Sequence, residues 1–203
     1  YTKQKVKIVV NEHCCFRDSI NTEPLIRRPR TLPTEDQIMR ADWEIERKFV
    51  VTYLPEGLLE TRKPVLVRQG YIAAQGDRHI TIKDEGGDFT MTVEQGAGLK
   101  RLDTEISISA EQFNELWPLT QHMRVEKKRY CIGFFGHWLL LDVFTGHLDP
   151  LILVEVTFDS EVNSRQFLPP DFAELEVTHQ REYQNIQLAR MGLPDALAMA
   201  NAY

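Results

Sequence analysis

The stretch WEIERKF, residues 43–49, alternates charged side chains with apolar or basic ones. The alternate charged positions are Glu44, Glu46 and Lys48. Because successive side chains of a β-strand point to opposite faces, these three would line one face of a strand. Taken alone, such a stretch is typical of a sheet edge whose charged face meets water. Whether that face meets water or an interior depends on the rest of the sequence.

Composition and charge limit the class of protein. The 203 residues are 42% hydrophobic and 27% charged, which suits one globular domain, or one domain with an appendage. No apolar run approaches the length of a membrane span, so we expect a soluble protein without a membrane partner. The net charge of −6 argues against a general nucleic-acid binder, because such proteins carry a basic surface.

The cysteines and the first residues bear on the compartment. The chain has three cysteines, Cys14, Cys15 and Cys131, and none of them forms a CxxC motif. An odd number without that spacing favours reduced thiols over disulfides or a zinc site. The first residues also lack the pattern of a signal peptide. We therefore expect a cytoplasmic protein, or one in another reducing compartment.

Residues 1–40 differ in composition from the rest of the chain. The segment PLIRRPRTLPTED, residues 24–36, holds three prolines and three arginines, which disfavour regular structure. We predict an N-terminal extension or linker at 1–40, ahead of a main domain at 41–203. A protein partner, or a second copy of the chain, could dock through this extension.

Most of the main domain has the pattern of short strands. Runs rich in Val, Ile, Thr, Phe and Tyr are separated by glycine-bearing turns, which predicts an antiparallel barrel or sandwich. These runs cover residues 67–74, 78–83, 88–95, 102–109, 126–134, 137–144 and 151–158. One helix is predicted after Ser109, which can form a capping box with Gln112, and before Pro118. A second is predicted over 181–192, ending at Gly192.

The alternation of charges seen at residues 43–49 recurs on other strands. Glu155 is informative because it is the lone charge in LILVEVTF, and a buried glutamate is costly without a partner. It is therefore expected to face a cavity that holds cations. If several strands turn charged faces inward, the barrel has a polar interior and apolar outer faces. The other alternating charges are Arg101, Asp103 and Glu105 on one strand, and Lys127 and Arg129 on another.

An interior lined by both signs of charge suits a polyanion. Carboxylates bind Mg²⁺ or Mn²⁺, these cations bridge phosphate oxygens, and Lys and Arg hold the remaining negative charge. A small polyanionic substrate such as triphosphate fits this chemistry. The alternative is that these charges form ion pairs between neighbouring strands on the protein surface, each of which contributes little to stability. The recurrence of the pattern on several strands favours the interior.

The ordered motifs of the chain resemble the CYTH domain of the triphosphate tunnel metalloenzymes, and the short bacterial inorganic triphosphatases in particular. The resemblance covers about residues 43–193 and implies an α+β, mainly β fold. Its centre would be an eight-stranded antiparallel β-barrel tunnel with a polar lumen and flanking helices. It also implies one or two divalent metal ions, and cleavage of a terminal phosphate by water. The motifs are EIERKF, RQGY, EKKRY, LDVFTGHLDPLILVEV and VTHQREYQN.

The resemblance also implies roles for individual residues. The metal ligands would be Glu44, Glu46 and Glu155. A second metal or the attacking water would be supported by Glu105 and Asp103. The phosphate-binding residues would be Lys48, Lys83, Arg101, Lys127 and Arg129. Tyr71, of the RQGY motif, would lie near the reacting phosphate or be a half-buried strand tyrosine. Asp142 would pair with Lys127 or Arg129, on the phosphate side or as a structural ion pair.

Three positions depart from the family pattern. Thr81 stands where relatives have the first of two alternating arginines, although Lys83 keeps a positive charge at the second. Glu94 stands where they have a lysine, and Thr157 where they have a second glutamate. A carboxylate facing phosphate is repulsive unless a cation lies between them. Alternatively, Glu94 takes over a metal-ligand role vacated at Thr157.

These observations leave several functions open. The first is a metal-dependent hydrolase of inorganic triphosphate or a related triphosphate. The second is a catalytically impaired relative that binds a polyphosphate or nucleotide, or serves as a structural subunit. The third is an adenylate cyclase, although no adenine-recognising motif is visible. His79 and His147 lack partners at metal-ligand spacing and are expected to be ordinary strand and turn residues.

Overall fold

The structure is a computed structural model that describes residues 42–195. The predicted extension at 1–40 lies outside the described residues, as do Cys14 and Cys15. Strands account for nearly half of the described chain. They are β1 Asp42–Val50, β2 Val65–Gln75, β3 Arg78–Glu85, β4 Asp88–Ala97, β5 Lys100–Ser107, β6 Arg124–Phe134, β7 His137–Phe144, β8 Ile152–Phe158 and the short β9 Leu175–Glu176.

The first eight strands close into an antiparallel barrel. Their order around the wall is β5-β4-β3-β2-β6-β7-β8-β1, and β1 pairs with β5 to complete the ring, while β9 adds to one end of β1. Closure removes the unpaired edges that an open sheet would expose. The predicted barrel is confirmed, and the sandwich alternative is wrong.

The outer face of the barrel carries an apolar core. In β1, Ile45 and Phe49 are buried on the side opposite Glu44, Glu46 and Lys48. They pack with outward-facing residues of the neighbouring strands and with the segment that follows β8. This core contains Leu58, Ile132, Leu139, Leu141, Val154, Val156, Phe158, Phe167, Phe172 and Ala173. The charged face of β1 therefore points into the barrel.

A second apolar cluster closes one end of the barrel. Val125, Phe144 and Leu153 share the inward face of their strands with charged residues, and they pack against Tyr183 and Ile186 of the C-terminal segment. Leu188 and Ala189 are buried in the same cluster. The polar interior therefore ends at this cluster.

Within residues 42–195, three short α-helices flank the barrel: α1 Ala110–Leu116, α2 Glu161–Gln166 and α3 Asn185–Met191. The predicted capping box of α1 is present, since Gln112 N donates to Ser109 Oγ at 3.1 Å and Ser109 N donates to Gln112 Oε1 at 2.8 Å. The predicted second helix is divided. A 3-10 turn, Arg181–Tyr183, precedes α3, which ends at Gly192 with φ of +85°. No helix within residues 42–195 is long and apolar enough to cross a membrane.

Candidate active site

The barrel encloses a cavity of about 950 Å³, and every predicted site residue except Asp142 lines it. Asp142 lies behind this surface and is completely buried. Among the described residues, the lining holds nine Asp or Glu and five Lys or Arg, which gives a formal charge of 5 − 9 = −4. A cavity with this excess of carboxylates attracts cations. The lining acids are Glu44, Glu46, Glu85, Asp88, Glu94, Asp103, Glu105, Glu155 and Asp159.

A buried ion-pair network lies on the β6, β7 and β8 side of the cavity. Arg129 holds Asp142 through two hydrogen bonds, Nε to Oδ1 at 2.8 Å and Nη2 to Oδ2 at 2.7 Å. Lys127 Nζ also pairs with Asp142, and Arg129 Nη2 donates to Glu155 Oε2 at 2.9 Å. Glu155 therefore has the cationic partners that its burial required. Burial opposes its ionisation, but Lys127, Lys48 and Arg129 hold the pKa of Glu155 well below its usual range.

Glu44 and Glu46 lie on β1, between this network and β5. Arg101 Nη2 donates to Glu44 Oε2 at 2.6 Å, and Arg101 Nε donates to Asp103 Oδ1 at 2.8 Å. Lys48 Nζ lies 2.9 Å from Glu155 Oε1 but 3.7 Å from Glu46 Oε1. The ammonium group of Lys48 therefore interacts more weakly with Glu46 than with Glu155. Arg101 and Lys48 bridge the carboxylates of β1 to those of β5 and β8.

These carboxylates have too little positive charge around them. Burial and the charge of Glu155 raise the pKa of Glu46 to about 7. Burial also raises the pKa of Glu44 and of Asp103, although Arg101 opposes the rise at both. Full ionisation of the group at neutral pH therefore calls for an additional cation.

The raised pKa of Glu46 predicts how stability depends on pH without metal. The native state keeps a proton on Glu46 up to about pH 7, whereas the unfolded chain loses it near 4.5. Glu46 therefore disfavours folding above pH 7, and this cost disappears as the pH falls to about 4.5. Urea unfolding in EDTA should find Glu46→Gln more stable than the wild type at pH 8, by on the order of 3 kcal/mol. A stability difference that is the same at pH 8 and pH 4.5 would contradict the assignment.

The donor set suits a hard divalent cation in chemistry, but it does not form a ready coordination shell. Carboxylate oxygens are the ligands that Mg²⁺ and Mn²⁺ prefer. Within residues 42–195, however, no three Asp, Glu, His or Cys side chains gather closely enough to hold a metal ion as they stand. Arg101 already pairs with Glu44, and Lys48 with Glu155. A cation among these carboxylates would have to replace the ammonium or guanidinium groups.

Three other predicted residues, Lys83, Glu105 and Tyr71, lie apart from this group. Lys83 Nζ, on β3, is 3.1 Å from Glu85 Oε2 and 4.0 Å from Glu105 Oε2. The ion-pair partner of Glu105 is therefore Lys83, not a cation of β1, β6 or β8. The Glu105 side chain is half exposed. Tyr71 is buried in the apolar cluster at the closed end. Burial, and then the charge of Glu94, raise the pKa of Tyr71 well above its usual value, which disfavours a phenolate.

Sequence comparison identifies relatives that are named for one activity. An inorganic triphosphatase of Nitrosomonas europaea is 43% identical over 148 residues, which cover 72% of this chain and 96% of that relative. An inorganic triphosphatase of Acetivibrio thermocellus is 31% identical over 149 residues, covering 72% of this chain and 93% of the relative. The chain belongs to the inorganic triphosphatase family.

The solved structures agree with this inorganic triphosphatase family. The crystal structure of an inorganic triphosphatase matches this chain at 39% identity with a TM-score of 0.57, covering 74% of this chain and 100% of that one. No protein-family model matches the chain. The barrel is therefore shared with a triphosphatase of known structure.

The departures from the triphosphatase-family pattern lie on different sides of the cavity. Glu94 is on β4, where its Oε1 lies 3.4 Å from both Gln69 Nε2 and Thr81 Oγ1. Thr157 is on β8, opposite Glu46. With strands about 4.8 Å apart, three strand steps separate β4 from β8 by roughly 14 Å along the wall. A ligand role for Glu94 in place of one at Thr157 would therefore require its carboxylate to reach across the lumen, and this hypothesis stays a prediction.

Sequence reasoning also missed a residue of this cavity. His79 was expected to be an ordinary strand histidine, but it lines the cavity with its Nδ1 3.8 Å from Glu94 Oε2. The available signal was alternation, because His79 shares a strand face with Thr81 and Lys83. His147, by contrast, is exposed in the 3-10 turn Gly146–Leu148, as expected of a turn residue.

Proposed function

We propose that this protein hydrolyses inorganic triphosphate, or a related triphosphate, in a reaction that depends on a divalent metal ion inside the barrel. The observation that carries the proposal is the composition of the lumen, where clustered Lys and Arg face a larger number of carboxylates. Cations bound among these carboxylates would reduce their repulsion of a polyanion. The names of its relatives point to the same substrate class. We also infer that the domain is a CYTH domain of the triphosphate tunnel type.

Glu44, Glu46 and Glu155 would hold Mg²⁺ or Mn²⁺. The three carboxylates lie on the paired strands β1 and β8, and the shortage of positive charge around Glu46 favours an added cation. Asp103 and Glu105 would support a second ion or the attacking water. The bound metal would polarise a phosphate oxygen and acidify a water molecule.

The cationic residues would hold the phosphate oxygens and stabilise the negative charge that develops during transfer. Lys127 and Arg129 are already fixed by Asp142, so little further ordering is needed when an anion binds. The ammonium and guanidinium groups that now pair with Glu155 and Glu44 would be available to phosphate if these carboxylates held a metal. Those groups belong to Lys48 and Arg101, and Lys83 would act from β3.

The test is phosphate release from tripolyphosphate by the purified protein, with Mg²⁺ and Mn²⁺ supplied in turn and EDTA as the control. We expect release with at least one of the metals and none in EDTA. Pyrophosphate and ATP, tested in parallel, measure the preference among phosphoanhydrides. Absence of release with every substrate and both metals would contradict the proposal.

A second candidate is a catalytically impaired protein that binds a polyphosphate or nucleotide. The observation that favours it is Glu94, which places a carboxylate in the lumen with no Lys or Arg ion pair among residues 42–195. Its expected result is a higher melting temperature with tripolyphosphate and metal, but no release of phosphate.

A further inference from the structure

His79 and Glu94 form a carboxylate–imidazole pair that the proposed metal and phosphate sites do not use. The two residues are directly opposite each other in the β3–β4 register. His79 Nδ1 lies 3.8 Å from Glu94 Oε2, and the side chains are only 11% and 12% exposed. Both line the lumen. The pair therefore lies inside the same cavity as the proposed reaction.

The carboxylate of Glu94 is fixed by neutral groups. Gln69 Nε2 and Thr81 Oγ1 lie 3.4 Å from its Oε1, and Gln69 Oε1 accepts a hydrogen bond of 3.2 Å from Asn185 Nδ2 on α3. A carboxylate that is largely buried needs a charged partner or a strong donor. Among the described residues, the imidazole of His79 is the titratable donor nearest to Glu94. Glu94 thus favours a proton on the Nδ1 side of the ring.

The ring of His79 is also held from β2. The Tyr71 and His79 rings meet edge to face, with centroids 5.9 Å apart and planes at 86°. Glu94 Oε2 lies on the Nδ1 side of the ring at ion-pair distance rather than hydrogen-bond distance. A proton on Nδ1 leaves the lone pair of Nε2 as an acceptor. The contacts of the His79 ring with the Glu94 carboxylate and the Tyr71 ring restrict its rotation. A general base must be held in a fixed orientation in this way to accept a proton from water.

We propose that His79, oriented by Glu94, accepts the proton of the water molecule that attacks the terminal phosphate. The inference rests on the proposed triphosphatase function and names a proton acceptor for it. The water oxygen forms a bond to the terminal phosphorus while the bond from that phosphorus to the bridging oxygen breaks. The leaving diphosphate keeps the electron pair of the broken bond. One water proton passes to Nε2 and from there to solvent, while the other stays on the orthophosphate product.

The charged groups around His79 set the conditions for this transfer. The negative groups are Glu94 on β4 and Asp103, which is opposite Glu94 on β5, and the positive group is Arg101 on β5. Tyr71 on β2 contributes no charge, because burial raises its pKa well above its usual value. The phenol is therefore a poor alternative acceptor at neutral pH.

The test is steady-state kinetics on tripolyphosphate with saturating metal, from pH 5.5 to 9, for the wild type, His79→Gln and Glu94→Gln. Loss of a general base typically costs 10²- to 10⁴-fold, so we expect His79→Gln to lower kcat by about 100-fold or more, with KM changed less than about threefold. The acidic limb of the wild-type pH profile should disappear. In Glu94→Gln the limb should remain, because the imidazole is still present, while kcat falls.

Two controls separate proton transfer from structure. His147→Gln changes an exposed histidine outside the lumen and should keep the wild-type kcat and pH profile. In His79→Ala, added imidazole should restore part of the lost kcat, which a purely structural residue would not allow. Melting temperatures of all variants show whether each is folded.

The outcomes distinguish this inference from the function on which it rests. No phosphate release by the wild type with either metal would overturn the proposed function and the inference together. An active wild type with an equally active, folded His79→Gln would overturn the inference alone. A higher KM at unchanged kcat would also overturn it, by assigning His79 to phosphate binding.

Discussion

Replacing Glu44 and Glu46 together by Gln is expected to lower metal-dependent phosphate release from tripolyphosphate by at least about 100-fold. Gln has the size of Glu but lacks the charge that holds a divalent cation. A metal ion supplies several kcal/mol of transition-state stabilisation, and tenfold in rate corresponds to about 1.4 kcal/mol. The measurement is the initial rate with Mg²⁺ or Mn²⁺ at saturating tripolyphosphate.

The matched control for this variant changes two glutamates outside the lumen. Glu115→Gln/Glu126→Gln alters exposed residues of α1 and β6 and removes the same net charge. It should keep the wild-type rate. If the Glu44 and Glu46 variant also kept the full rate, these residues could not be the metal ligands.

Asp142→Asn is expected to lower the free energy of unfolding by about 3–5 kcal/mol, because it leaves buried cations without their counter-ion. Asp142 is completely buried, and it accepts two hydrogen bonds from Arg129 and pairs with Lys127. Asn retains the size of the side chain but not the charge. Urea unfolding of the metal-free protein at pH 7 measures the difference.

An exposed ion pair provides the comparison. Glu161 and Arg165 of α2 are 3.0 Å apart, and their side chains are 44% and 75% exposed. Such surface pairs contribute at most about 1 kcal/mol, so Glu161→Gln should change stability little. An Asp142→Asn variant as stable as Glu161→Gln would show that the interior tolerates unpaired Arg129 and Lys127, contrary to this account.

Alternation along single strands made much of the site predictable from the sequence. The face of β1 that carries Glu44, Glu46 and Lys48 does point inward, since a strand fixes the side of every second residue. The need of Glu155 for positive partners also follows from one residue in an apolar run. The start of α1 was predictable because a capping box is a local interaction.

Relations between distant strands were not predictable in this way. Alternation gives the face of a residue but not its height in the barrel or its neighbour across the lumen, which depend on register and strand order. For that reason the sequence allowed Glu94 and the position of Thr157 to be assigned to one metal site, although β5 and β1 lie between their strands. The pairing of His79 with Glu94 depends on the β3–β4 register.

The measurement that most directly tests the central claim is anomalous diffraction from crystals of the protein grown with Mn²⁺ and a slowly hydrolysed triphosphate analogue. We predict an anomalous peak within coordination distance of Glu44, Glu46 and Glu155, with phosphate density reaching Lys127 and Arg129. A well-ordered lumen without an anomalous peak, or Mn²⁺ bound only outside the barrel, would contradict a metal-dependent reaction in the lumen.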